Sequence, residues 1–117
     1  MSNILYLAEQ RDGTFRKPTL ELSSYARAMA DLTGGEVTAL VLGPLDPSEP
    51  SRLGTYGTDK VLHAVQGPFE HFDQGIWTSA IAAAAEKTGA QVLLFPFSQS
   101  GRSVAPAVAV RMQAGLA

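Results

Sequence analysis

"VLLFPFSQSGRSVAPAV", Val92 to Val108, joins an unbroken apolar run to a serine-rich turn and then to small residues that open a helix. A run without polar alternation suits a strand covered on both faces, as in a parallel sheet between helices. Three more such runs precede it: "ILYLA" (4–8), "VTALVL" (37–42) and "VLHAV" (61–65), with "VLLFPF" (92–97) as the fourth. The four runs predict four strands.

Helical spacing fills the gaps between them. Leu22, Tyr25, Ala26, Met29 and Leu32 fall on one stripe, which predicts a first helix stopped by Gly34-Gly35. A second helix starts at Asp73 as its cap, carries Phe72, Ile76, Trp77, Ala80, Ile81 and Ala84, and ends at Gly89. Its alanines, Ala82 to Ala85, allow a close approach to the sheet. A third helix is expected from Arg102 to Gln113, with Pro106 near its first turn and Gly115 as its stop. The Pro-, Ser- and Gly-rich segment 44–58 leaves room for only a short helix over Ser48–Thr55. In "EQRDGTFRKP", Asp12-Gly13 predicts a small hairpin between the first strand and the first helix.

This order predicts a doubly wound α/β fold, a mainly parallel sheet sandwiched by helices. The last helix runs directly into "QAGLA", where such a fold continues to another strand. The chain therefore reads as truncated before the last strand, with the edge beside the fourth strand open or filled by a neighbouring chain.

Composition narrows the chemistry. At 117 residues the chain is one domain, and 45% apolar against 17% charged residues marks it as folded rather than disordered. A net charge of −2 gives no electrostatic reason for a nucleic-acid partner. The absence of cysteine excludes disulfides, thiolate metal sites and cysteine nucleophiles. No targeting signal precedes Ile4, and no apolar run approaches the ~20 residues of a membrane span. The expectation is a soluble cytoplasmic domain.

If the first and fourth strands are central neighbours, their C-terminal ends, Ala8-Glu9 and Phe97-Ser98, open the ligand crevice. Ser98, Ser100, Gly101, Arg102 and Ser103 lie there at a helix N-terminus, whose free N–H groups and dipole attract anions. The competing reading is that Ser100 or Ser103 simply caps the helix. The segment lacks a Walker lysine and the G-x-G-x-x-G spacing. Glu9 would repel a phosphate bound at Ser100–Ser103, with Arg11 and Arg102 available to offset it or to pair with it. His63 and His71, eight residues apart, have no metal-ligand spacing and read as structural. Ser98 has no nucleophile-elbow pattern, and no Ser-His-Asp triad can be assigned. Trp77 and the aromatics at 69, 72, 95 and 97 belong to the core or to an interface. No catalytic residue and no metal site emerges.

Several stretches together resemble the N-terminal domain of the electron transfer flavoprotein α subunit. "ILYLAEQRDGTF" is similar to that family's opening strand and hairpin, and "PTLELSSYARAMA" to its following helix. "GGEVTALVLG" resembles the second strand, and "YGTDKVLHA" the Y-G-A-D-K-V segment. "SGRSVAPAVAVRMQAGLA" resembles G-[KR]-D-L-A-P-R-V-A-x-[KR]-L-x-x-G-L, departing from it at Ser103, often Asp in the family, and Ala107, often Arg.

The resemblance implies an adenine nucleotide α-hydrolase-like fold and a subunit without a catalytic site of its own in this stretch. It implies FAD held by a C-terminal domain beyond this chain, and a β subunit carrying AMP. Electrons would pass from acyl-CoA or other dehydrogenases through FAD to a quinone oxidoreductase or another acceptor. None of the family's main flavin motif lies in these residues, so no flavin contact carries over. The rival from the same superfold is a universal-stress-type regulator using Ser98–Ser103 on ATP or AMP. Of that family's glycine pattern, only Gly101 is present. A nucleotide-hydrolysing or adenylating enzyme would need an S-G-G-x-D-S-type loop after the first strand, which "AEQRDG" is not.

Overall fold

In the computed structural model, which describes residues 2–64, 69 and 71–112, the elements follow in the order β1 (Ile4–Leu7), β2 (Gln10–Arg11), β3 (Thr14–Phe15), α1 (Lys17–Asp31), β4 (Val37–Leu42), α2 (Glu49–Thr55), β5 (Lys60–Ala64), α3 (Gln74–Thr88), β6 (Val92–Leu94) and α4 (Gln99–Arg111). Four strands form a parallel sheet in the order β5-β4-β1-β6, with Ile4 opposite both Val37 and Val92. The central pair of the expected crevice, first strand beside fourth, is therefore present.

Alternate residues of β1 and β4 feed two cores. Ile4, Tyr6, Val37, Ala39 and Val41 pack toward α1 and α2, while Leu5, Leu7, Leu40 and Leu42 pack toward α3 and α4. Both strands are buried along their whole length, which is why their sequences are apolar without alternation. Asp12 (φ 54°) and Gly13 (φ 84°) supply the left-handed pair that the two-residue β2–β3 turn requires. Asp73 caps α3 by accepting from the Ile76 N–H at 2.9 Å, and Gly89 (φ 66°) ends it, both as expected.

Three expectations need correction. The expected stripe of Leu22, Tyr25, Ala26, Met29 and Leu32 is inward only in part: Ala26 is buried with Thr19, Leu20, Ser23 and Ala30, and Leu22 and Met29 are half-buried, but Tyr25 is 60% and Leu32 87% exposed. The fourth strand is shorter than 92–97, ending at Leu94 before Pro96. The last helix starts at Gln99 rather than Arg102, so Pro106 lies inside it and not in its first turn. Pro106 lacks the N–H that would reach the Arg102 carbonyl, and its ring stands exposed on the helix surface. Val65, Gln113 and Gly115 lie outside the described residues.

β6 has a strand on one side only, so among the described residues its outer edge is open. Its three residues are half-buried, unlike those of β1 and β4.

Candidate functional site

The segment after β6 is a helix start that caps itself. Ser98, not Ser100 or Ser103, is the cap: its extended backbone lets Oγ accept from the Gly101 N–H at 3.0 Å. Its carbonyl accepts from the Arg102 N–H at 2.9 Å and from Arg102 Nε at 3.4 Å. The guanidinium carbon of Arg102 lies 4.7 Å from the ring centroid of Phe97, a residue 87% exposed. Arg102 is thus folded back on its own helix start rather than turned toward Glu9.

Ser103 binds sideways. Gln74 Nε2 donates to its carbonyl at 2.9 Å and to its Oγ at 3.2 Å, tying the first turn of α3 to α4. No spacing in the sequence announces this bridge, because the two residues meet only once α3 and α4 lie side by side. Ser100 is half-buried and takes part in no described side-chain hydrogen bond.

Glu9 leaves β1 in the other direction. Its carbonyl accepts from Thr19 Oγ1 at 2.7 Å, and the chain continues into the hairpin. The hairpin is anchored toward α2 through Asp46 N–H to the Gly13 carbonyl (2.8 Å) and Phe15 N–H to Glu49 Oε1 (2.7 Å). Among the described residues the Glu9 carboxylate joins no ion pair, with Arg11 and Arg102 included. The structure therefore groups Ser98, Gly101, Arg102 and Ser103 in one capped turn and leaves Glu9 outside their hydrogen bonds.

Below that turn, the space bounded by Leu5, Leu7, Leu40, Ile81 and Leu93 to Phe95 has no room for water. A groove of about 330 Å³ lies elsewhere, between α3 and the far end of α4, lined by Ser79, Ala82, Ala83, Glu86, Arg111 and Met112. His63 is satisfied, its Nε2 donating to the Gly43 carbonyl at 2.6 Å. No cluster of three His, Asp or Glu side chains able to hold a metal occurs among the described residues. Trp77, Phe69 and Phe95 pack on the α3–α4 core, whereas Phe72 and Phe97 face solvent. No helix among the described residues is long and apolar enough to cross a membrane.

Comparison with known proteins agrees with the motifs. The family described as electron transfer flavoprotein domain matches residues 4–117. The electron transfer flavoprotein subunit α of Clostridium acetobutylicum is 33% identical over 109 residues, 93% of this chain and 32% of that protein. The protein FixB of Clostridium saccharobutylicum is 34% identical over the same shares of both chains. The chain thus spans about a third of the length of the curated relatives it matches. A solved universal stress protein from Archaeoglobus fulgidus superposes with a TM-score of 0.58 at 13% identity, covering 89% of this chain and 90% of that one. At that identity the likeness is one of fold, an α/β sandwich around a parallel sheet.

Proposed function

The chain belongs to the electron transfer flavoprotein domain family, and on that premise we propose that it is the N-terminal scaffold and subunit-docking domain of an α subunit, with a C-terminal FAD-binding domain in the polypeptide that follows. The observation that carries this reading is the match over residues 4–117 to relatives of which it spans only a third. In the whole protein, electrons pass from acyl-CoA or other dehydrogenases through FAD to an acceptor oxidoreductase. A β subunit holding AMP completes the heterodimer, and the assembly works in the cytoplasm.

The described residues do not fit FAD themselves. A dinucleotide needs donors for its pyrophosphate and slots for the isoalloxazine and the adenine, in pockets that bury most of the ligand. The space bounded by Leu5, Leu7, Leu40, Ile81 and Leu93 to Phe95 admits no water. The capping Ser98 already occupies the Gly101 N–H. The groove between α3 and α4 is lined by two alanines, a serine, a methionine and two charged side chains, with no aromatic wall for a flavin ring. The part played here is mechanical: a rigid sheet that positions the rest of the subunit and its partner.

The test is direct. The purified 117-residue chain should be colourless and redox-inactive. The gene extended through the C-terminal domain and co-expressed with a β subunit should give a yellow heterodimer that accepts electrons from a dehydrogenase. Stoichiometric flavin on the short chain, or none on the extended heterodimer, would refute the proposal.

A further inference from the structure

We infer that Asp12 is a site of covalent ageing: its carboxyl cyclises onto the Gly13 amide nitrogen and reopens as isoaspartate, at a rate set by the hydrogen bond that Gln10 holds to that nitrogen.

Asp12 is the one aspartate followed by glycine, and the single asparagine, Asn3, is followed by isoleucine. Glycine has no β carbon to crowd its nitrogen as it swings onto the preceding side chain. The other four aspartates are held in place. Asp31 pairs with Arg27 at 2.9 Å, and Asp46 Oδ1 accepts from the N–H and the hydroxyl of Ser48. Asp59 Oδ2 accepts from the Val37 N–H and from Arg27, and Asp73 caps α3. Asp12 instead stands exposed at the tip of the β2–β3 turn, and its carboxyl joins no ion pair among the described residues.

One bond opposes the reaction. Gln10 Oε1 accepts from the Gly13 N–H at 2.8 Å. Gln10 lies opposite the buried Phe15 in the hairpin register, and its carboxamide packs against Gly43, so its oxygen is fixed where it meets Gly13. The proton it holds is the one that must leave before the nitrogen attacks.

In the step itself, the Gly13 nitrogen bonds to Asp12 Cγ and the Cγ–O bond of the protonated carboxyl breaks. The nitrogen's proton departs with that hydroxyl as water. Water then adds to the five-membered imide. Opening at Cγ restores aspartate, whereas opening at the main-chain carbonyl routes the chain through the side chain and leaves a free α-carboxylate. One water leaves and one returns.

Isoaspartate adds an atom to the main chain inside a two-residue turn. That turn rests on Asp12 and Gly13 at φ 54° and 84°, with Arg11 opposite Thr14 and Gln10 opposite Phe15. The longer chain breaks this closure. With it go the bond from the Asp46 N–H to the Gly13 carbonyl and the bond from the Phe15 N–H to Glu49, which anchor the hairpin toward α2.

The experiment incubates the 117-residue protein in warm, mildly acidic buffer as wild type, Gln10→Leu, Gln10→Glu and Asp12→Glu. Isoaspartate is counted by methyl transfer from S-adenosylmethionine with an isoaspartyl methyltransferase and located by peptide mapping. In the wild type it should form at Asp12 and at none of the other four aspartates. Asp12→Glu, which would need a six-membered imide, should abolish it. Gln10→Leu keeps the bulk without the acceptor and should speed the reaction about five-fold or more. Gln10→Glu keeps an acceptor and should stay near the wild-type rate. The aged wild type should exchange its Phe15 amide about ten-fold or more faster than fresh protein. A folded wild type that forms no isoaspartate at Asp12, while the urea-unfolded chain does, would overturn the site. A Gln10→Leu rate equal to wild type would overturn the role of the bond. So would equal acceleration in Gln10→Leu and Gln10→Glu, because loosening of the turn would then set the rate.

Discussion

Gly101 lies directly against the carbonyl oxygen of Pro96, so close that a Cβ there would overlap it. The glycine in the first turn of α4 is thus a packing residue, letting that turn close over the segment that leaves β6. Gly101→Ala should cost about 2 kcal/mol by forcing the turn off the strand, whereas Ser98→Ala should cost about 1 kcal/mol through loss of the cap. Urea denaturation of the two variants checks the order, and a neutral Gly101→Ala would contradict the close approach.

Glu49 should hold the hairpin in place. It is 4% exposed, and its Oε1 takes the Phe15 N–H at 2.7 Å while Arg52 Nη1 reaches both carboxylate oxygens at 2.8 and 3.0 Å. The Arg52 side chain is 44% exposed, so the ion pair contributes less than the bond to the buried amide. Glu49→Ala should destabilise the domain by roughly 2 kcal/mol and expose the Phe15 amide to exchange. Glu49→Gln keeps an acceptor and should cost less. Equal losses in the two variants would show that the charge, rather than the acceptor, matters.

The strands, the hairpin and the bounds of α3 could be read from the sequence because each rests on a local signal. An apolar run, an Asp-Gly pair, a capping Asp and a terminal Gly carry their meaning within a few residues. The inward face of α1 could not. Ser23 is fully buried because Thr58 Oγ1 and the Tyr56 carbonyl receive it. Thr19 is buried because its hydroxyl reaches the Glu9 carbonyl. Hydrophobicity ranks such positions as outward, and only the folded partners reverse that. The larger Leu22 and Tyr25 were left to the flank by the same choice. In the candidate site, the serines and Arg102 were visible as a group, but which serine capped was decided by where the helix began. The Gln74 bridge to Ser103 and the divergence of Glu9 depend on packing between elements, which no spacing encodes.

Tyr6 should make stability fall in alkali. Its hydroxyl lies 2.7 Å from Thr58 Oγ1, which lies 2.6 Å from Ser23 Oγ, and Ser23 donates to the Tyr56 carbonyl at 3.2 Å. With the serine proton committed, Thr58 donates to Ser23 and Tyr6 to Thr58. Burial, the largest effect, raises the phenol above its ordinary value, and the hydrogen bonds to Ser23 and Thr58 partly oppose this. The native state therefore holds a proton that the unfolded chain gives up near pH 10. This stabilisation is fully present below about pH 10 and is lost as pH rises from there through the native value. Tyr6→Phe should cost about 1–2 kcal/mol at neutral pH, and its difference from wild type should shrink above pH 10. A difference that stays constant up to pH 11 would contradict the raised phenol.

Adenine nucleotides should bind the isolated chain no better than about 1 mM, although the fold is shared with a universal stress protein. An anion at the start of α4 would meet a turn whose Gly101 N–H is already held by Ser98 Oγ. Arg102, the nearest cation in the segment, would have to leave the Phe97 ring and the Ser98 carbonyl to reach a phosphate. An adenine would need an apolar slot beside it, and the space under the turn is closed by Leu5, Leu7, Leu93 and Phe95. A phosphate contact alone, exposed to water, gives little affinity. Titration calorimetry with AMP, ADP and ATP should therefore show no saturable heat. Micromolar binding that disappears in Arg102→Ala or Ser100→Ala would show instead that the turn opens to admit a nucleotide, and would move the chain to the regulator reading.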